Sequence, residues 1–270
     1  MRGFPGGSRS AYRWASRYVA GTGWDDALAC AERLAAEGIA SSIDLVGGSV
    51  SDPAESDRIA DCYVILAGAL AHAPDGTFLS IDLSHIGLDE SPAAARRRLE
   101  RSAAALPACR RIQVGAEEHR RGERILATVL AVAGSGGAVS ATIQANLRRS
   151  RADAQALAEA GVPIRLVKGA YVEDPEVALP WGEATDLAYL ELAHELHAGG
   201  AQVALATHDP VLREALLRAL PRVGVEMLLG VRRADADALA KRGVPVRIYL
   251  PYGDGWFRYA MRRWAESLGA

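Results

Sequence analysis

The sequence predicts an α/β fold of the (β/α)8, TIM-like barrel type, with helices ahead of the first strand. Three observations carry that prediction. Eight short apolar runs, most of them rich in Val and Ile, recur along the 270 residues. Segments with helical spacing lie between them, and such alternation implies parallel strands joined by helical crossovers. Eight is also the number of strands that closes a barrel of this kind. A doubly wound open sheet is the alternative, but no GxGxxG follows the first run.

In chain order, SAYRWASRYVAGTGWDDALACAERLAAEG (10–38) reads as two helices. They form an N-terminal cap (1–40) on the barrel (41–270), the whole being one domain over 1–270. Strands are expected at SSIDLV (41–46), FLSIDLS (78–84), RIQVGA (111–116) and SATIQA (140–145). Four more follow at IRLVKGA (164–170), QVALATH (202–208), GVEMLL (224–229) and VRIYLPY (246–252). Between them ADAQALAEAG (152–161) and ATDLAYLELAHELHAGG (184–200) have helical spacing, the latter closed by a Gly pair. HDPVLREALLRAL (208–220) opens with Asp209 as N-cap and Pro210 in the first turn. RRRLERS (96–102) fits a solvated helix and GSGG (134–137) a helix–strand loop. After the last strand the chain turns at Pro251, Gly253 and Gly255. It then reads as a helix with Tyr259, Arg262, Arg263 and Glu266 on or near one face.

The composition, 50% hydrophobic and 24% charged, is that of an ordinary soluble globular protein. A net charge of -2 and a pI near 6.3 give no support for nucleic-acid binding. Three scattered cysteines, Cys30, Cys62 and Cys109, form no CxxC. Neither disulfides nor a structural zinc are expected, and a reducing, cytoplasmic interior is the natural compartment. The start has no apolar run of signal-peptide length, and no stretch approaches the roughly 18 apolar residues of a membrane span.

Chemistry in such a barrel sits at the C-terminal strand ends. Polar residues fall there inside apolar runs: Gln144, Arg165, Lys168, Tyr171, Thr207, His208, Glu226 and Tyr249. Each has a structural reading. Lys168 can snorkel, His208 can be a satisfied core or N-cap histidine, Gln144 and Glu226 can pair with helix ends, and the tyrosines can pack at a rim. Arg262 and Arg263 can be plain surface charge. Their convergence on one barrel face argues for a site. His194 and His197 lie three apart on a helix without an acidic partner, so no metal is expected, and no GxSxG is present. Fixed cations, amides and an apolar rim suit an anionic cofactor plus a small carboxylate.

RLVKGAY (165–171), ATHD (206–209), QANLRRS (144–150) and YLPYGDGWFRYAMRRWAE (249–266) together resemble the proline dehydrogenase family, and so does the opening stretch 18–50. The likeness covers nearly the whole chain. It implies a flavin-dependent distorted (β/α)8 barrel. Arg165 would sit by flavin N5, with Tyr249 beside it; Asp82, where this chain departs from the family, is also expected in the catalytic set. Gln144, Val167, Lys168, Gly169, Thr207, His208 and Glu226 would help hold FAD. Leu166, Tyr171, Leu228, Tyr249 and Tyr259 would wall a small ring. Arg262 and Arg263 would clamp the substrate carboxylate, supported by Glu266. The implied reaction moves a hydride from a carbon next to a neutral amine to the flavin, giving an imine, with the electrons passing on to an acceptor such as a quinone. Peripheral membrane contact is compatible with such an acceptor.

Two departures stand out. The family carries a lysine of the clamp in strand two, where this chain has Asp82, and an aspartate in strand three, where it has Gly115 or, on a shifted register, Gln113. Gly48 replaces a usual Glu as a smaller change. Exchanging a cation for an anion beside two arginines alters the local charge by two units, each charge pair being worth roughly 4 kcal/mol at about 4 Å and an effective dielectric near 20. Altered substrate choice, ordinary proline oxidation with another residue in the lysine's role, and a flavin-binding partner or regulator without catalysis all remain open. A lyase or hydrolase barrel without flavin is a further alternative.

Overall fold

The computed structural model describes residues 17–267. Eight parallel strands close a barrel in sequence order: β1 (Ala40–Leu45), β2 (Phe78–Ile81), β3 (Ile112–Val114), β4 (Val139–Gln144), β5 (Ile164–Val167), β6 (Val203–Ala206), β7 (Gly224–Leu228) and β8 (Val246–Tyr252). β8 returns to pair with β1. Helix α1 (Trp24–Ala36) precedes the barrel. The helices after successive strands are α2 (Pro53–Ala69), α3 (Pro92–Ala104), α4 (His119–Gly134), α5 (Ser150–Glu159), α6 (Glu183–Ala198), α7 (Pro210–Ala219), α8 (Arg233–Lys241) and α9 (Trp256–Ser267).

Strand alternation sorts the residues into two layers. In register, Ile143 lies beside Leu166 and Leu166 beside Leu205; one residue earlier, Thr142, Arg165 and Ala204 align. The first set faces the helices. With Ile43, Ile81, Ile112, Val225 and Ile248 it belongs to one continuous buried core. Burying a side chain of that size stabilises by about 1.5–3 kcal/mol, so this outer layer carries much of the barrel's stability. The second set faces the lumen, and there the barrel holds Asp44, Gln113, Arg165, Glu226 and Arg247. A barrel filled only by packing would place branched aliphatics at such positions.

Local chemistry starts the helices where expected. Asp209 accepts hydrogen bonds from the Val211 and Leu212 amides, with Pro210 opening α7. Asp52 and Ser91 cap α2 and α3 in the same way, each followed by proline. Two expectations change. Arg98, read as part of a solvated helix, is buried and bonded to Asp57, Glu90 and the Ile86 carbonyl. β2 stops at Ile81 instead of running to residue 84, because the His85 amide turns back onto the Asp82 carbonyl and opens a 3-10 turn (Leu83–Ile86). That turn closes at Gly87 (φ 85°), where a Cβ would meet Arg98 and Ser56.

Two placements shape the barrel mouth. α1 packs outside the β8–β1 seam, with Trp24 edge-on to Tyr252 at 6.2 Å. α9 instead brings Tyr259 over the C-terminal strand ends, 6.1 Å from Tyr249. The Ala20 amide bonds to the Pro251 carbonyl at 2.8 Å and fastens the lead-in chain to the end of β8. The earlier of the two helices expected in 10–38 falls mainly on residues before 17, outside the described residues.

Candidate active site

Deep in the lumen, Glu226 gathers three neighbours. Gln113 donates through Nε2 to both carboxylate oxygens, at 3.0 and 3.2 Å. Arg165 Nε lies 3.2 Å from Oε2, an ion pair whose N–H does not point along the contact. Arg247 Nε lies 3.6 Å from Oε1. These contacts hold Arg165 upright, with its guanidinium carbon 5.8 Å from the Tyr249 ring centre.

The arc formed by β4 to β6 is largely hydrogen-bonded. Gln144 donates to the Glu117 carbonyl at 2.9 Å and accepts from the Ala170 amide at 3.3 Å. Lys168 reaches Asp186 on α6 at 2.6 Å and Asp209 at 3.0 Å. Burial alone would lower the Lys168 ammonium; those two hydrogen bonds outweigh it and hold the group above its ordinary value. Gly169 has φ 133°, and a Cβ there would overlap the Asn146 side chain, so only glycine fits this approach of two strand ends. Thr207 accepts from the Asp209 amide.

His208 is the informative member of this arc. Its Nε2 accepts from the Leu228 amide at 3.2 Å, which places the ring proton on Nδ1. That Nδ1 is buried with no hydrogen-bond partner among the described residues, as is Asn146 Oδ1. Burial, reinforced by Arg213, Arg263 and Arg232, pushes the imidazole down to about 4, so it is neutral at physiological pH. A neutral donor past the end of β6 and a neutral acceptor past the end of β4 are thus left without partners among the described residues, with β5 between them.

The arc formed by β1 to β3 is acidic. Tyr249 donates to Asp44, and Asp44 is nonetheless raised to about 6: burial dominates over the tyrosine bond and the Arg165 charge. Burial, then Asp44 and Glu117, hold Asp82 well above the ordinary aspartate value. Glu117 is raised by burial too, although it accepts from the Ser84 amide at 2.9 Å and lies 3.2 Å from Arg121. Arg121 is committed elsewhere as well, to Asp89, Glu118 and Ser49. Gly115 lies against Asp82, and a Cβ at 115 would overlap the Asp82 carboxyl. The two departures read from the sequence are therefore one local arrangement.

Over this opening stands α9. Arg263 is half-buried, its guanidinium carbon 5.3 Å from the Tyr259 ring centre, and its charge reaches His208. The side chains of Arg262 and Glu266 lie outside the described residues. Tyr171 donates to the Ala116 carbonyl at 3.5 Å, across from β5 to the β3 end. Val167 shares the lumen face with Gln144, and Leu228 ends β7 beside Tyr249. Leu166, expected in the wall of the site, faces the other way: it is fully buried in the layer between barrel and helices, because it alternates with Arg165 and Val167. Asp44, Glu117 and Asn146 were not singled out in the sequence. Asp44 had the same signal as the residues that were, a charge inside the apolar run SSIDLV. Glu117 and Asn146 lie beyond strand ends, where polarity is unremarked. Among the described residues no group of His, Cys, Asp and Glu suits a metal ion, and no helix is long and apolar enough to cross a membrane.

A parallel eight-stranded barrel with polar side chains converging at its C-terminal mouth defines an enzyme of the (β/α)8 class. The sequence profile described as proline dehydrogenase matches residues 27–268, and the chain belongs to the proline dehydrogenase family, a family of oxidoreductases. It is 31% identical over 266 residues to the proline dehydrogenase of Deinococcus radiodurans, an alignment covering 94% of this chain and 86% of that protein. It is 31% identical over 264 residues to proline dehydrogenase 1 of Bacillus subtilis, covering 93% and 86%. Among solved structures, it superposes on proline utilization A (PutA) of Bdellovibrio bacteriovorus inactivated by N-propargylglycine. The TM-score is 0.86 at 19% identity, over 95% of this chain and 33% of that one. PutA of Corynebacterium freiburgense gives 0.79 at 18%, over 96% and 32%. The chain thus spans about a third of each PutA, and these likenesses bear on fold.

Proposed function

We propose that this chain oxidises proline or a closely related small amino or imino acid at the carbon next to its amine, with FAD held at the ends of β4 to β6. The orphaned Nδ1–H of neutral His208 at the end of β6, with the unpartnered Asn146 oxygen at the end of β4, carries this reading. Together with the Gly169 approach and the Arg165 cation, they match a polar ring with several acceptor atoms and a negatively charged tail. Gln144, Val167, Lys168, Gly169, Thr207 and His208 would hold the cofactor, with Glu226 positioning Arg165. FAD, when bound, supplies the hydride acceptor, and a quinone-type acceptor is expected to take the electrons onward.

The chain's own groups have separate tasks. Arg165, tethered from below by Glu226, places positive charge where negative charge develops on reduction. Arg263, with Arg262 and Glu266 on the same helix, takes the substrate carboxylate. Tyr171, Leu228, Tyr249 and Tyr259 surround a small ring and exclude water. Tyr249, bonded to Asp44, also fixes the height of the floor. Asp82 acts chiefly as a neutral hydrogen-bond donor, since burial and its neighbours favour its protonated form. It can serve a substrate with an additional acceptor or amine, and it cannot replace a cation in the clamp. Proline should therefore turn over less efficiently than a relative that uses that extra group.

The test is the absorption spectrum of the purified full chain during anaerobic titration with proline and a panel of cyclic and acyclic amino acids. A yellow protein whose flavin bands bleach on titration is expected. A colourless protein that gains no flavin on incubation with FAD would overturn the cofactor assignment. A yellow protein that no substrate bleaches would identify a binding or regulatory protein instead.

A further inference from the structure

At the opposite end of the barrel a cavity of about 520 Å³ opens at the first residues of the strands. It exists because the lumen positions there are small: Ala40, Ser140, Ala204 and Gly224 stand where bulkier side chains would close a barrel floor. Its volume is within the range of small-molecule sites. It lies at the other mouth from the candidate active site.

The charge of the cavity is not balanced. Arg111, Arg165 and Arg247 line it with one lumen carboxylate, Glu226, among them. Arg247 stacks on Phe78, its guanidinium carbon 3.5 Å from the ring centre, and donates to the Ser41 carbonyl at 2.7 Å. Arg111 lies 4.9 Å from the same ring centre, and its guanidinium has no hydrogen bond or ion pair among the described residues. Burial lowers the Arg111 guanidinium and holds Arg247 down to about 10, with Arg111 adding to the effect on Arg247 and Glu226 opposing it. Two cations held against one ring, both uncomfortable in their burial, are the electrostatic mark of a site that gains from an anion.

Two further atoms specify what kind of anion. Gln113 Oε1 and Ser140 Oγ are buried and unpartnered among the described residues, and both side chains line the cavity. The two Gln113 Nε2 bonds to Glu226 fix the orientation of that amide, so Oε1 is an acceptor awaiting a donor. Buried polar atoms of this kind are ordinarily satisfied. A plain carboxylate supplies no donor; an oxyanion that keeps one hydroxyl does.

We propose that the N-terminal mouth of the barrel binds a small hydroxyl-bearing oxyanion, a phosphate group foremost, between Arg111 and Arg247 with its hydroxyl toward Gln113. The site reaches the active-site end through Arg165, which lines the cavity, and through Glu226, which contacts Arg247 and Arg165 together.

The experiment is calorimetric titration of the purified full chain with inorganic phosphate and with glycerol 3-phosphate, against chloride at matched ionic strength. Saturable binding of one anion per chain is expected. It should weaken at least tenfold in Arg111→Gln and be retained in Lys168→Gln, at the far mouth. Arg247→Gln should abolish it, and because that variant also removes a buried tether, melting temperature is measured alongside; Arg111→Gln decides the matter if Arg247→Gln does not fold. No saturable binding beyond chloride, or binding unchanged in Arg111→Gln, or binding lost in Lys168→Gln, would overturn the site. None of these readouts depends on flavin or turnover, so failure here is distinguishable from failure of the proposed activity.

Discussion

The two arcs of the C-terminal mouth are built on different electrostatic plans. On the β4–β6 side, Lys168 is paired with Asp186 and Asp209, Gln144 is bonded at both ends, and the open atoms belong to the neutral groups of His208 and Asn146. On the β1–β3 side, Asp44, Asp82 and Glu117 are buried together, and burial raises all three above their ordinary values. The first arc is set in one protonation state near neutral pH and is suited to holding a ligand in one pose. In the second, Asp44, raised to about 6, changes its charge close to neutral pH. Substrate choice and pH dependence should therefore reside on the acidic side, and cofactor geometry on the other.

The largest effect is expected from Arg165, which joins the arcs. Arg165→Ala should slow flavin reduction by about 10²–10³-fold while changing FAD affinity by less than about tenfold, as for loss of a preorganised charge at the reacting atoms. Stopped-flow reduction and a flavin titration measure the two separately; equal losses in both would erase the distinction between the arcs.

Next comes the acidic arc itself. Asp82→Lys should raise kcat/KM for proline tens-fold, because restoring a charged partner to a carboxylate is worth on the order of 2–5 kcal/mol. Gly115→Asp alone should lower the melting temperature, since its side chain would overlap Asp82. Combined with Asp82→Lys it should be tolerated and add to proline turnover. Efficient proline oxidation by the natural chain, abolished in Asp82→Lys, would reverse this reading of the arc.

A smaller effect should appear with pH. Asp44, raised to about 6, is protonated below that pH and anionic above it. KM for a carboxylate substrate should rise as pH passes upward through about 6, and Asp44→Asn should flatten that step. Stability follows the same sign: the folded state keeps the Asp44 proton more tightly than the unfolded chain. Its contribution is complete below the ordinary aspartate range and lost as pH rises through about 6. Melting temperatures from pH 4 to pH 7.5, compared between natural chain and Asp44→Asn, measure it.

The smallest change in stability is expected on the other arc. Lys168→Met removes two partly exposed ion pairs and should cost about 1 kcal/mol or less in denaturant unfolding. A loss several times larger would mean that this arc depends on its charges as much as the acidic one does.

The barrel was legible because its strands are short apolar runs separated by capped helices, and local rules of alternation and capping act within a few residues. Asp209 and Pro210 start α7 as their types require, and β8 ends at Tyr252 as expected. Strand ends at the mouth were overextended: β5 stops at Val167, although IRLVKGA continues to 170, because the ladder ends where the chain turns at Gly169. The arginines and tyrosines of the last helix could be nominated from motif resemblance alone.

The sequence by itself determined that eight parallel strands would carry polar residues to one end, since period-two alternation and helix caps are properties of neighbouring residues. Tertiary structure decided which of those residues meet. Asp44 and Tyr249 are 205 positions apart and touch only because β8 closes onto β1. Leu166 turns away from the lumen because its neighbours in the ladder turn with it. Asp82, an anion by residue type, becomes a group that favours its proton once burial and two further carboxyls surround it. Charge state depends on the dielectric and on neighbours brought in from distant strands, and no local pattern encodes either.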